Sequence, residues 1–160
     1  MPPKKEMMRQ WLREKILYKW EEKSAYEARG QITGIQVATD GEKIKRIRFA
    51  FKQTFEEWRA MTWTRGDTYW GEGGEEQDPF LLEEGERVVE VTTYDDWSNL
   101  CGLELLTTSG RRVFWGKKSE DCQRSVTKET FLAFCSGGVL LDLKEEYRLS
   151  LAFHWEKNNI

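Results

Sequence analysis

The residues best placed to do chemistry lie near the C-terminus, in FLAFCSGGVLLDL, where Gly138 and Asp142 stand in a G-x-x-x-D spacing. Read locally, Gly137 and Gly138 suggest a turn, because glycine adopts backbone conformations that a side chain penalises. Such a turn exposes N–H groups beside the Asp142 carboxylate, a combination that can hold the hydroxyls of a sugar. The same residues also suit a plain chain reversal. A second candidate is YDDWSN, in which Tyr94, Asp95, Asp96 and Trp97 gather acidic, aromatic and amide groups suited to polyol recognition. An ordinary exposed loop has the same composition.

Catalytic, metal and cofactor chemistry finds little support. His154 is the single histidine and falls in a predicted strand, so a Ser-His-Asp or Cys-His arrangement would rest on it alone. Asp95 and Asp96 are adjacent, and neighbouring residues on a strand point to opposite faces. The three cysteines, Cys101, Cys122 and Cys135, lack any C-x-x-C spacing and suggest buried thiols, neither a disulfide framework nor a zinc site. The glycines of Gly71–Gly74 are flanked by Glu72, Glu75 and Glu76, which would repel a phosphate. The reading is therefore of a protein that is not an enzyme, with no metal and no cofactor.

A length of 160 residues suits one domain with an appendage. The net charge of -3, from 25 basic and 28 acidic residues, argues against a nucleic-acid partner. Eight Trp, eight Phe and five Tyr suit core packing, ligand platforms and protein contacts alike. No window of about 18 apolar residues suggests a membrane span, and MPPKKEMMRQWLREK lacks the apolar run of a signal peptide. A chain beginning naturally at Met1 is then expected in the cytoplasm, whereas loss of a leader would make it secreted.

These residues need elements to position them. Residues 4–29 hold no Gly or Pro and are rich in helix formers, which predicts an N-terminal amphipathic helix over 1–29, separate from a β domain over 30–160. Met7, Trp11 and Tyr18, with Met8, Leu12 and Ile16 beside them, form its apolar face. That face can dock on the chain's own β domain or serve as an arm for a protein partner. From Gly30 onward short strands dominate. QITGIQVA, the turn TDGEK and KIKRIRFAFK signal a hairpin turned at Asp40-Gly41. Further strands spaced by roughly 8 to 12 residues, with no helix between them, predict an antiparallel sandwich, barrel or prism. Leu149, Leu151, Phe153 and Trp155 alternate with polar or small residues as the closing strand.

Taken together, ITGIQV with KIKRIRFAF, then GGEEQDPFLLEEGERVVEVTTY, LELLTTSGRRVFWG and FLAFCSGGVLLDLKEEYRLSLAFHW, the chain from about 31 to 155 resembles the jacalin-related lectins, most closely the vertebrate zymogen-granule type. The resemblance implies an all-β fold, a β-prism of three four-stranded antiparallel sheets, here with an added N-terminal α-helix. It implies a mannose-type carbohydrate site in which Asp142 accepts from sugar hydroxyls and N–H groups near Gly138, Val139 and Leu140 donate. Asp96 and the stacking ring of Trp97 would form a neighbouring wall. The sequence departs from the pattern in two places. Where the family has a Gly-Gly loop, KWEEKSAYEARGQ stands, which is expected to put Glu21, Glu22 and Lys23 into the sugar's space; and LKEEYR lengthens the last connection. Two functions follow as expectations: a non-catalytic glycan-binding lectin with a weak or degenerate site, or an intracellular adaptor, for example cytoskeleton-associated, that docks through its N-terminal helix.

Overall fold

In the computed structural model the described residues are 15–52, 74–96, 100–141 and 147–157. They form β1 (Lys15–Glu21), α1 (Lys23–Arg29), β2 (Ile32–Thr39), β3 (Ile44–Phe51), β4 (Glu75–Glu76) and β5 (Phe80–Leu81). β6 (Val88–Asp95), β7 (Leu100–Thr107), β8 (Arg112–Gly116), β9 (Gln123–Thr127), β10 (Leu132–Leu141) and β11 (Tyr147–Trp155) follow. The fold is all-β, as expected: three antiparallel sheets arranged as a β-prism. Among the described residues they run β1-β10-β11, β3-β2-β4 with β5 also on β2, and β8-β7-β6-β9.

The inner faces meet in one core. β2 contributes Ile35 and Val37, β3 Phe49 and Phe51, β6 Val91, β7 Leu103 and Leu105, and β10 Leu132 and Cys135, all fully or almost fully buried. Along β7 the buried Leu103 and Leu105 alternate with half-buried Glu104 and Leu106, the two-residue period of a strand with one face inward. Burying side chains of this size contributes roughly 1.5–3 kcal/mol each, which is what holds the sheets against one another.

The β2–β3 hairpin forms where the sequence predicts it. Gly41 takes φ 92 at the turn. Asp40 Oδ1 accepts from the Glu42 and Lys43 amides, both at 2.9 Å.

The N-terminal region differs from expectation. Lys15–Glu21 is a strand, not helix, and the only helix among the described residues is the seven-residue α1. Ile16 and Tyr18, expected on an apolar helical face, are register-paired with Leu140 and Val139. The other members of that face, Met7, Met8, Trp11 and Leu12, lie outside the described residues. A pairing partner more than a hundred residues away outweighs the local helical preference of KILYKWE.

Candidate functional site

β10 carries the G-x-x-x-D segment, and its surroundings correct the local reading. Gly137 and Gly138 do not form a turn. They sit inside β10, opposite Trp20 and Lys19 of β1 on one side and Leu151 and Ser150 of β11 on the other. The pairing continues on both sides through Val139, Leu140 and Leu141, so β10 itself holds no chain reversal. In a central strand the backbone donors are spent on the two neighbours, so any amide that meets a ligand here must come from the connection between β10 and β11. Asp142 belongs to that connection, residues 142–146, which lies outside the described residues.

The register also relocates the charged residues expected to crowd this site. β1 runs antiparallel to β10, with Glu21 opposite Ser136 and Lys15 opposite Leu141. The Glu22 amide donates to the Cys135 carbonyl at 3.1 Å. From Ser136 to Leu141 an extended strand covers roughly 17 Å, so Glu21 and Glu22 stand beside the middle of β10, that far along the strand from its Leu141 end. There α1 packs Tyr26 against Phe134, ring centroids 5.9 Å apart. The Asp142 end is flanked instead by Lys15. Between Ile16 and Tyr18 the β1–β10 register shifts by one residue, an irregularity of the kind that bends a strand beside a binding site.

The second predicted wall belongs to another sheet. Tyr94 and Asp95 are the last residues of β6, and exposed Asp96 follows them. Trp97 lies outside the described residues. The Tyr94 ring is not available for stacking: it is 9% exposed and meets Phe114 edge-on at 5.8 Å. Lys118 Nζ lies 4.7 Å over the Phe114 ring and donates to Glu104 at 2.9 Å.

His154 has a partner that sequence reasoning missed. Its Nε2 lies 2.7 Å from Ser136 Oγ, and its ring stacks on Phe134 at 4.5 Å and 11°. The contact joins β10 and β11 across their register, where Phe134 opposes His154 and Ser136 opposes Ala152. Strand spacing could have suggested the contact only once the two strands were known to be neighbours.

An open groove of about 870 Å³ was also not foreseen; it lies where the β2–β3 turn meets Gly74–Gln77 and the end of β8. Its lining includes Asp40, Glu75, Gln77, Phe114 and Trp115. Partial burial pushes the Asp40 carboxyl up, but the Glu42 and Lys43 amides and the Lys45 ammonium outweigh it and hold the group below its ordinary range. Trp115 is 5% exposed and packs edge-on against Phe80, so among the described residues the groove offers carboxylates and an amide but no open indole face. Among the described residues, no cluster of His, Cys, Asp and Glu could hold a metal ion, and no helix is long and apolar enough to cross a membrane.

The fold is similar to that of one solved lectin structure. The crystal structure of a prostate-specific WGA16 glycoprotein lectin, form II, is similar with a TM-score of 0.59 and 20% identity, covering 79% of this chain and 82% of that one. At that identity the likeness concerns the fold. No protein-family model and no curated protein matches the sequence.

Proposed function

We propose that this chain is a non-catalytic carbohydrate-binding module whose site lies at the Asp142 end of β10, between the β10–β11 connection and the chain around Lys15. The observation that supports the reading is the β1–β10 register, which sets Glu21 beside Ser136, in the middle of β10, and so away from the Leu141 end of that strand. The likeness in fold to a lectin supports it. In this reading Asp142 accepts from two sugar hydroxyls, amides of the connection donate, and Asp96 with Trp97 forms the outer wall. Residues 30–160 make up most of the binding unit, with β1 joined to it by pairing. The adaptor reading loses ground, because Ile16 and Tyr18 belong to a paired strand and not to a docking helix.

A single shallow site of this kind binds simple sugars with dissociation constants of roughly millimolar order, about -4 kcal/mol. Glycan-array screening followed by calorimetric titration with mannose tests the proposal. A saturable response lost in Asp142→Ala is expected. A wild-type protein silent on the array, or an Asp142→Ala variant that binds as well as wild type, would overturn it.

A further inference from the structure

The groove beside the β2–β3 turn and the wall that Asp96 and Trp97 give the proposed site stand at the same end of the β8-β7-β6-β9 sheet. β6 and β8 are both antiparallel to β7 and so run in one direction, β6 closing on Asp95 and β8 on Gly116. Tyr94, Gly102 and Gly116 form a single row across the three strands, Tyr94 paired with Gly102 and Gly102 with Gly116. Two strand spacings, roughly 10 Å, therefore separate Tyr94 at the end of β6 from Gly116. Gly116 lines the groove. The Lys117 amide donates to the Cys101 carbonyl at 2.9 Å and holds the end of β8 against β7.

The chemistry of the groove suits a neutral polyol. Asp40 Oδ1 is taken by two backbone amides, while Oδ2 lies 3.9 Å from Lys45 Nζ. Gln77 Nε2 donates to the Glu75 carbonyl at 3.1 Å; the Glu75 carboxylate and the Gln77 amide oxygen have no partner among the described residues. A phosphate or sulfate would meet the charges of Asp40 and Glu75, and the Lys45 ammonium offsets their pull on a cation. Hydroxyls donate to carboxylate and amide oxygens and accept from an ammonium, which matches what is left. A Cβ at Gly41 would meet nothing within 4 Å, so a ligand can come close to the backbone there. The volume of about 870 Å³ is that of a small-molecule site.

We propose that the groove is a second subsite for the same glycan: the chain recognises a short oligosaccharide, with one sugar at the Asp142 end and a later one in the groove, the ligand crossing the end of β7 between them. The inference rests on the Asp142 site and extends it. The sugar in the groove donates hydroxyls to Asp40, Glu75 and Gln77 and accepts from Lys45. Because both subsites act on one ligand, the second contact is intramolecular and adds to the first without a second loss of free motion.

Calorimetric titration of the full-length chain with mannose, mannobiose, mannotriose and mannopentaose reads the gain with ligand length. Wild type should bind mannopentaose one to one and about tenfold or more tightly than mannose, beyond the few-fold gain that repeated units give statistically. Glu75→Ala combined with Gln77→Ala should leave mannose affinity unchanged and bring mannopentaose to within about threefold of it. Retained mannose binding shows that this variant is folded. Mannose binding with only the statistical gain, or a full gain that survives in the double variant, would overturn the inference while the Asp142 site stands. A wild type silent to every one of these sugars overturns both. The wild-type length series decides even if the double variant fails to fold.

Discussion

Replacing Glu86 by Gln should destabilise the protein by about 3 kcal/mol, and the local geometry sets that figure. The Glu86 side chain is 2% exposed. Its carboxylate accepts from Arg111 Nε at 2.9 Å, from Thr107 Oγ1 at 2.6 Å and from the Glu83 amide at 2.9 Å. Arg111 Nη2 and Ser109 Oγ donate to it as well. Gln keeps the volume but brings an N–H₂ against groups that are themselves donors. Breaking a buried ion pair costs about 3–5 kcal/mol. The lower end applies here, because Arg111 is 39% exposed, keeps its bond to the Leu81 carbonyl at 2.9 Å and lies over Phe80.

At about 2–4 °C per kcal/mol for a chain of this size, the melting temperature should fall by about 6–12 °C. The pH dependence gives the reasoning a second check. The Arg111 hydrogen bond holds the Glu86 carboxyl well below the usual carboxylate range; burial opposes this, and Ser109, Thr107 and the Glu83 amide reinforce it. A depressed carboxyl stabilises the fold above its unfolded value of about 4.3, and that stabilisation is lost as pH falls towards the folded value. Urea titrations of wild type and Glu86→Gln should therefore differ most near neutrality and converge below about pH 4. A variant within about 1 kcal/mol of wild type at neutral pH, or a gap of the same size at pH 7 and pH 3, would refute the account.

Two glycines separate backbone freedom from available space. Gly116 has φ 93 and a Cβ there would meet the Cys101 carbonyl at 2.1 Å, so Gly116→Ala should cost about 3 kcal/mol or more in urea denaturation. Gly41 has φ 92 with nothing within 4 Å of an added Cβ, so Gly41→Ala should cost only about 1 kcal/mol; equal losses at the two sites would contradict the argument. Tyr26→Phe removes the 2.9 Å bond to Glu156 while Arg87 continues to hold that carboxylate. Its cost should be about 1 kcal/mol, read from the denaturation midpoint, and a loss several times larger would mean that the ring's packing on Phe134 had been disturbed too.

The β2–β3 hairpin was legible because its signals are local: an Asp-Gly turn, and apolar Ile47, Phe49 and Phe51 at every second position. β1 was misread for the opposite reason. KILYKWE holds no breaker and fits a helical wheel, while its period-two set Ile16, Tyr18 and Trp20 is too short to decide against one. Glu86 is not singled out by the sequence, since nothing nearby in it announces Thr107, Ser109 and Arg111 as partners. The three cysteines were likewise read together as buried thiols; the structure buries Cys101 and Cys135 but leaves Cys122 half-exposed.

By itself the sequence determined the all-β class, the hairpin at Asp40-Gly41, the alternating core faces and the residue types of the candidate site, because these follow from side-chain period and turn chemistry within a few residues. The tertiary structure decided what Gly137 and Gly138 do, since β1 and β11 on either side keep them extended where the dipeptide alone would turn. It also decided where along β10 the charged residue Glu21 falls, opposite Ser136 in mid-strand. Antiparallel register is fixed by contacts between segments more than a hundred residues apart, and no local pattern encodes it.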